Sequence, residues 1–152
     1  MSNPKQPVVT LRKLNKENYR EILKLKVGQD QTQFVASNAI SLAQALFHEE
    51  AWFRGIYADD TAVGFVMIEM NYTKPEYFLW RFMIDENSQG KGYGYQAMEL
   101  VIKHVKTLPN AKEFFLSYIP AEGSPQGFYS KLGFVNTGDI EEGEEIMRLQ
   151  FD

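Results

Sequence analysis

A glycine-rich segment at residues 89–94, of sequence Gln-Gly-Lys-Gly-Tyr-Gly, has residue types that bind phosphate groups. It lies between a strand-like run and an amphipathic run, so it leads into a helix N-terminus, where backbone N–H groups are unpaired and carry partial positive charge. Alternate glycines leave no Cβ atoms in the way of a diphosphate, and Lys91 adds a positive charge. We therefore expect a diphosphate site here; a glycine-rich turn without a ligand is the alternative.

Two well-known phosphate motifs do not fit this segment. The P-loop requires a Lys-Ser or Lys-Thr pair after its last glycine, but Tyr95 follows Gly94. The dinucleotide fingerprint G-x-G-x-x-G needs glycine at position 95 and a place near the start of its domain. Nicotinamide-nucleotide binding is therefore the weaker alternative.

The hydrophobic periodicity predicts one domain over residues 1–152, a mixed sheet flanked by helices. The expected order is β-α-α-β-β-β-α-β-α-β-β, and only the strand–helix–strand unit of residues 76–119 needs to be parallel. Asn15 is expected to cap the first helix, and Ser41 with Gln44 to form a capping box for the second. Residues 29–38 are either a loop or a bent helix. The other expected elements are strands at 8–13, 52–58, 62–70, 76–84, 113–119, 134–140 and 145–151, and helices at 94–108 and 124–132.

Composition excludes several classes of protein. The chain has 152 residues, 44% hydrophobic and 24% charged, which is typical of a soluble globular domain. The longest apolar run, residues 62–68, is far shorter than the roughly 18 residues of a membrane span, and no secretory signal is recognised, so we expect a cytoplasmic protein.

There is no cysteine, and His48 and His104 lie far apart, so we expect no metal site. The net charge of −4 disfavours nucleic acid and suits a small cationic ligand.

Two motifs together resemble the Gcn5-related N-acetyltransferase (GNAT) superfamily. Gln89, Gly92 and Gly94 match its acetyl-coenzyme A signature Q-x-x-G-x-G, and residues 128–134, Phe-Tyr-Ser-Lys-Leu-Gly-Phe, are similar to its F-Y-x-K-x-G-F segment. The resemblance covers most of the chain. It implies an α/β (α+β) acyl-CoA N-acyltransferase (GNAT) fold, with a mixed, mostly antiparallel sheet of about seven strands flanked by four helices.

The resemblance also implies how acetyl-coenzyme A binds. In members of the family, main-chain groups of the strand that corresponds to residues 82–84 bind the pantetheine arm and the acetyl carbonyl. The loop that corresponds to residues 89–94 binds the pyrophosphate. Two central strands separate after a bulge and leave N–H donors for the oxyanion, each worth about 3 kcal/mol. Tyr129 corresponds to the proton donor for the departing thiolate; a tyrosine that only packs in the core is the alternative. The implied acetyl-coenzyme A residues are Phe82, Met83, Ile84, Gln89, Gly90, Lys91, Gly92, Tyr93 and Gly94.

The chain departs from the family pattern at two places near this tyrosine. Many relatives have asparagine seven residues before it and a small residue four before it, whereas this chain has Glu122 and Pro125. The coenzyme contacts of that asparagine are therefore not carried over.

The acceptor implied by the resemblance is a small cationic amine, because the chain is most similar to bacterial spermine/spermidine and diamine acetyltransferases. An alkylammonium has a pKa near 10.4, so at about pH 7.4 roughly one molecule in a thousand is nucleophilic and a base is needed. Trp80 replaces the acid that serves relatives as a base, which leaves Glu69, Glu76 and Glu122 as candidates. The acidic residues at 141–145 are expected to form a solvated hairpin tip.

Two further expectations and two alternatives concern the mechanism, the assembly, the acceptor and the activity. We expect direct attack of the amine on the thioester in a ternary complex, and a homodimer as in many members of the superfamily. A peptide, protein or antibiotic amine is an alternative acceptor. A non-catalytic module that senses acyl-coenzyme A is the alternative to an enzyme.

Overall fold

The structure, a computed structural model, describes residues 6–31, 36–71 and 76–152. The strands are β1 Val9–Arg12, β2 Ala51–Ala58, β3 Thr61–Asn71, β4 Glu76–Ile84, β5 Glu113–Tyr118, β6 Val135–Glu141 and β7 Glu144–Gln150. The helices are α1 Tyr19–Leu23, α2 Asn38–Leu46, α3 Tyr93–Lys106 and α4 Gln126–Lys131, with 3₁₀ turns at Gln29–Gln31 and Glu86–Ser88. No helix in these ranges is long and apolar enough to cross a membrane.

The strands form one sheet in the order β1-β2-β3-β4-β5-β7-β6. Among the described strands, β4 and β5 form the parallel pair and the other neighbours are antiparallel. Helix α3 makes the crossover that a parallel pair requires. The expected order of elements and the expected parallel unit are both confirmed.

The sheet is the middle layer of the molecule. Helix α3 buries Ala97, Met98, Val101 and Val105 against one face, where Tyr129 of α4 also packs. Ile22 of α1 packs on the opposite face, with partly buried residues of α2 beside it. Residues 63–68 of β3 are therefore buried on both faces of the sheet, and the helices on the two faces give the central strands distinct surroundings.

Two helix starts differ from the expectation. The N-cap of α2 is Ser37, whose Oγ accepts a hydrogen bond from the Ile40 N–H at 3.2 Å. Ser41 is buried within the helix and its hydroxyl donates to the Ser37 carbonyl, so the predicted capping box is wrong. Asn15 does accept backbone N–H groups, but it caps a turn, and α1 begins only at Tyr19. Residues 32–35 of the predicted loop or bent helix lie outside the described residues, and its start is the 3₁₀ turn.

Candidate active site

A cleft of about 1350 Å³ opens where β4 and β5 separate. The two strands pair only at Phe78 with Phe115 and Leu79 with Leu116. Beyond these pairs β4 continues to Ile84 and β5 to Tyr118, and each forms one wall of the cleft. The edge of β4 that faces away from β3 thus carries backbone groups that do not bond to β5, and these are available to a ligand.

A β-bulge in β4 lies at the point of separation. Met67 of β3 pairs with Arg81 and Ile68 pairs with Leu79, so Trp80 is the extra residue. A bulge bends its strand and increases the local twist, which turns β4 away from β5 directly after Leu79. The separation of the two central strands after a bulge, implied by the resemblance, is confirmed.

Trp80 and Arg81 both lie on the face of the sheet that carries α1 and α2. Trp80 is partly buried against the apolar residues around Ile22 on this face. Its ring makes a T-shaped contact with the His48 ring, with centroids 5.0 Å apart. Arg81 Nη2 donates to Gln44 Oε1 of α2 at 3.2 Å, and Nη1 donates to the Trp80 carbonyl at 2.8 Å. Both residues line the cleft, so Trp80 is a wall residue as well as a packing residue.

The glycine-rich segment closes one end of the cleft on the opposite face. Gly90 and Gly92 have φ angles of +77° and +82°, a left-handed conformation that glycine adopts without strain. Gly92 is also the N-cap of α3, and the first intrahelical bond runs from the Gln96 N–H to its carbonyl. The preceding N–H groups in the first turn are therefore free for an anion. Gln89, Gly90, Gly92, Tyr93 and Gly94 line the cleft, whereas Lys91 is exposed outside the lining.

The side chain of Gln89 holds this segment against the end of β4. Its Nε2 donates to the Ile84 carbonyl at 2.9 Å and to Gln31 Oε1 at 2.8 Å. Phe82, Met83 and Ile84 line the cleft beside it. The sequence-predicted coenzyme residues other than Lys91 are thus brought together along one continuous wall.

Tyr129 of α4 lines the same cleft from the face that carries α3. Its side chain is only 7% exposed and makes edge contacts with Phe128 and Phe134, with ring centroids 5.2 and 5.9 Å apart. Phe128 in turn stacks on Phe82 at 5.8 Å, which places α4 against the wall formed by β4. Burial raises the pKa of Tyr129, so the phenol is protonated at neutral pH and can donate a proton.

Of the three candidate bases, only Glu69 is among the described residues that line the cleft. Glu76 begins β4 at the end away from the separation, and Glu122 is exposed beside the lining. Glu141 and Glu142 are exposed at the hairpin turn, as expected, and Glu144 beside them is half-buried. All three also line the cleft, which the expectation of a solvated tip did not include. The hairpin is folded toward β5 by the pairing of β5 with β7, which the sequence did not reveal. Sequence reasoning also missed Ser117 and Tyr118 of β5, which line the cleft too.

Outside the cleft, the titratable residue His104 packs against an aromatic side chain of β2. His104 of α3 stacks on Trp52 at 4.4 Å, and Arg54 lies over the same indole ring at 4.4 Å. Across the described ranges, no group of three or more His, Asp or Glu side chains could hold a metal ion.

Comparison with known proteins identifies the family. The profile described as the acetyltransferase (GNAT) family matches residues 10–134. A spermine/spermidine N(1)-acetyltransferase of Bacillus subtilis (strain 168) is 29% identical over 151 residues, covering 91% of this chain and 96% of that protein.

Two solved structures share the fold. PaiA N-acetyltransferase from Thermoplasma acidophilum, in complex with coenzyme A, has a TM-score of 0.72 at 17% identity, covering 95% of this chain and 99% of that one. Spermidine N-acetyltransferase from Vibrio cholerae, in complex with coenzyme A and spermine, has a TM-score of 0.70 at 20% identity, covering 92% of each chain. The chain therefore belongs to the acetyltransferase (GNAT) family and is an acetyl-coenzyme A-dependent N-acetyltransferase.

Proposed function

We propose that this chain, acting as one domain over residues 1–152, transfers an acetyl group from acetyl-coenzyme A to a primary amine of a small di- or polyamine. The observation that carries the proposal is the cleft between β4 and β5, which is lined from both faces of the sheet. One face offers the helix N-terminus and Tyr129, and the other offers Trp80 and carboxylates. Coenzyme and cationic amine can therefore meet at the gap from opposite sides, as a ternary complex requires.

The coenzyme lies along the wall formed by β4 and the glycine-rich segment. Main-chain groups of Phe82, Met83 and Ile84 bind the pantetheine arm, because β5 does not pair with this part of β4. The pyrophosphate lies over Gly90 and Gly92, where a Cβ atom would meet nothing at Gly90 and only Gln96 Nε2, at 3.9 Å, at Gly92. The open space above both glycines supports this placement, and Lys91 supplies positive charge from outside the lining.

The reaction is a direct attack. The neutral amine adds to the thioester carbonyl carbon, a C–N bond forms, and free N–H groups of β4 stabilise the oxyanion by about 3 kcal/mol each. The C–S bond then breaks, and Tyr129 donates its proton to the sulfur. Its raised pKa keeps the phenol protonated at neutral pH, so a proton is present beside the sulfur when the C–S bond breaks. The chain contains no cysteine nucleophile, in keeping with transfer without an acyl-enzyme.

The charge of the cleft supports a cationic acceptor. Glu69, Glu141, Glu142 and Glu144 line it against Arg81 and Lys131, and Trp80 offers an aromatic face that can contact an ammonium group. The Bacillus subtilis relative is named for spermine and spermidine, and the Vibrio cholerae structure contains spermine. These names support the same class of acceptor for this chain.

The test is an assay of free thiol with acetyl-coenzyme A and a panel of spermidine, putrescine and a peptide amine. We expect the highest kcat/KM with spermidine or putrescine. A faster reaction with the peptide would overturn the acceptor class. Calorimetric binding of acetyl-coenzyme A without thiol release from any amine would instead support the sensing module. The homodimer stays a prediction, and light scattering after size-exclusion chromatography can check it. The cytoplasmic location also stays a prediction.

A further inference from the structure

Glu144 contacts the β5 wall of the cleft where the central strands part. The Ser117 hydroxyl donates a hydrogen bond to Glu144 Oε1 at 3.3 Å. Ser117 directly follows Leu116, the last β5 residue that pairs with β4. The carboxylate at the start of β7 is therefore held at the apex of the gap.

Arg81 of the β4 wall lines the same cleft as Glu144 and is influenced by its charge. Burial lowers the pKa of Arg81, and the negative charge of Glu144 partly offsets that shift. Arg81 follows the bulge residue Trp80, and its guanidinium is fixed by the Trp80 carbonyl and Gln44. Glu144 and Arg81 thus both line the cleft, beside the point where β4 turns away from β5.

The position on the sheet separates Glu144 from the tyrosine and from the coenzyme side. Leu116 and Tyr118 belong to the apolar cluster under α3, so Ser117 between them faces the side of α1 and α2, and it bonds Glu144 there. Tyr129 belongs to the cluster under α3. A proton acceptor and a proton donor are therefore placed on opposite faces of one gap.

The other carboxylates that line the cleft or lie beside it are less suitably placed. Glu69 is exposed and pairs with Phe78, before the bulge, where β4 and β5 are still joined. Glu141 and Glu142 are exposed at the hairpin turn. Glu145 accepts a hydrogen bond from the Tyr118 hydroxyl, on the face that carries α3. Glu144 is the half-buried carboxylate at the separation itself.

We infer that Glu144 is the general base of the acetyl transfer, with Ser117 as its positioning residue. The inference rests on the proposed function. The ammonium of the acceptor gives one proton to Glu144, directly or through one water, and becomes nucleophilic. Its nitrogen bonds to the thioester carbon, the C–S bond breaks, and Tyr129 protonates the sulfur. The second nitrogen proton passes to the Tyr129 phenolate through water, and the proton on Glu144 is released to solvent, so amide, thiol and one proton result.

The decisive variant is Glu144→Gln, assayed with spermidine across pH 7 to 10. General-base catalysis contributes about 10²- to 10⁴-fold, so kcat should fall about 100-fold or more at pH 7. Without the base, the rate should follow the fraction of free amine, which rises about tenfold per pH unit below the ammonium pKa near 10.4. The deficit of the variant should therefore shrink steadily toward pH 10.

Two further variants separate a chemical role from a structural one. Glu144→Asp keeps the carboxylate, and we expect it to recover part of the activity with the pH profile of the wild type. Glu99→Gln makes the same charge change on the exposed surface of α3 and should leave kcat within about twofold. Acetyl-coenzyme A affinity, measured by calorimetry, should be the same in all of these proteins.

Three results would overturn the inference. They are a kcat of Glu144→Gln within about threefold of the wild type, a deficit that stays constant with pH, or an effect confined to KM. If Glu144→Gln does not fold, a Glu144→Asp protein that folds but has the pH profile of free-amine attack would also overturn it. None of these results affects the proposed function, which is tested on the wild type. It fails if no amine releases thiol, and its acceptor class fails if the peptide amine reacts faster than spermidine and putrescine.

Discussion

Tyr129 packs in the core and lines the cleft at the same time. Its ring lies against Phe128 and Phe134, which accounts for its burial, and the residue also lines the cleft between β4 and β5. The sequence presented packing and chemistry as alternatives for this residue, but the structure is compatible with both. Rigid packing is also what a positioned proton donor needs.

We expect Tyr129→Phe to lower kcat by about 100-fold, because it removes the proton that the thiolate takes. The ring contacts remain, so the melting temperature and the affinity for acetyl-coenzyme A should change little. Since burial raises the pKa of Tyr129, the wild type should show no loss of kcat from phenol ionisation up to about pH 10, where an ordinary tyrosine is half ionised. Thiol release over pH 7 to 10 measures both effects, and an unchanged kcat in the variant would contradict the assigned role.

Glu144 illustrates what could not be predicted from residue types. Its sequence neighbourhood, Glu-Glu-Gly-Glu-Glu, is typical of a solvated turn. Its position in the cleft depends on the pairing of Ser117 with Ile146 and on the Ser117 hydroxyl, both of which are set by tertiary contacts. Residue types likewise could not predict that Glu76 and Glu122 are not among the residues that line the cleft. The glycine-rich segment and Tyr129 were found because each belongs to a contiguous motif.

At the scale of elements, the start of α3 combines a conformational and a binding requirement. Gly92 is left-handed at the N-cap, and the first turn that follows it has N–H groups facing the cleft. The apolar period of α3 predicted this helix to within two residues at each end. The start of α2 was missed because Ser37 and Ser41 are both plausible caps, and burial of Ser41 decided between them.

A matched pair of glycine substitutions tests this requirement. Gly92→Ala should destabilise the fold by about 1 kcal/mol, because a left-handed φ costs a side-chain-bearing residue that much, and should weaken acetyl-coenzyme A binding. Gly127→Ala lies within α4, where a Cβ atom would meet nothing within 4 Å, and should stabilise the fold by about 0.5 to 1 kcal/mol. Urea denaturation and calorimetry measure the two quantities. Equal stability changes of the same sign would contradict the conformational argument.

The contact between α3 and β2 should make stability depend on pH. Burial first, and the charge of Arg54 second, lower the pKa of His104, whose Nε2 is buried without a hydrogen-bond partner among the described residues. The unfolded chain therefore binds a proton below about pH 6.5 that the folded chain does not, and stability is lost as pH falls from there to the folded-state pKa. Above about pH 6.5 this contribution is fully present.

His104→Phe keeps a ring on Trp52 and removes the titrating group, so it should reduce the loss of stability between pH 7.5 and 5.5. Urea midpoints at the two pH values give the comparison. A variant that loses as much stability as the wild type on acidification would show that other groups dominate.

At the scale of the whole molecule, negative charge is concentrated where the acceptor is proposed to enter. The chain carries a net charge of −4, and several of its glutamates line the cleft. From the sequence, the charge sign favoured a cationic ligand only weakly, because acidic residues also serve solubility. In the structure, β7 pairs with β5, and this places the glutamates of the β6–β7 hairpin at the cleft.

We expect the kcat/KM for spermidine to fall when salt is raised, since the Debye length shrinks from about 10 Å at 0.1 M to about 3 Å at 1 M. A monoamine of similar length, which carries less positive charge, should lose less. Initial rates at several salt concentrations measure the difference. Equal losses for the two amines would mean that the glutamates of the cleft do not attract the distal charges of the acceptor.

Two residue pairs between β4 and β5 join the half of the sheet formed by β1 to β4 to the half formed by β5 to β7. A ligand that spans the open part of this junction adds a second connection between the halves, so its binding free energy also opposes their separation. Amide hydrogens near the end of β5 should then exchange with solvent more slowly in the complex than in the free protein. Each turnover, by releasing coenzyme A, would loosen the junction again.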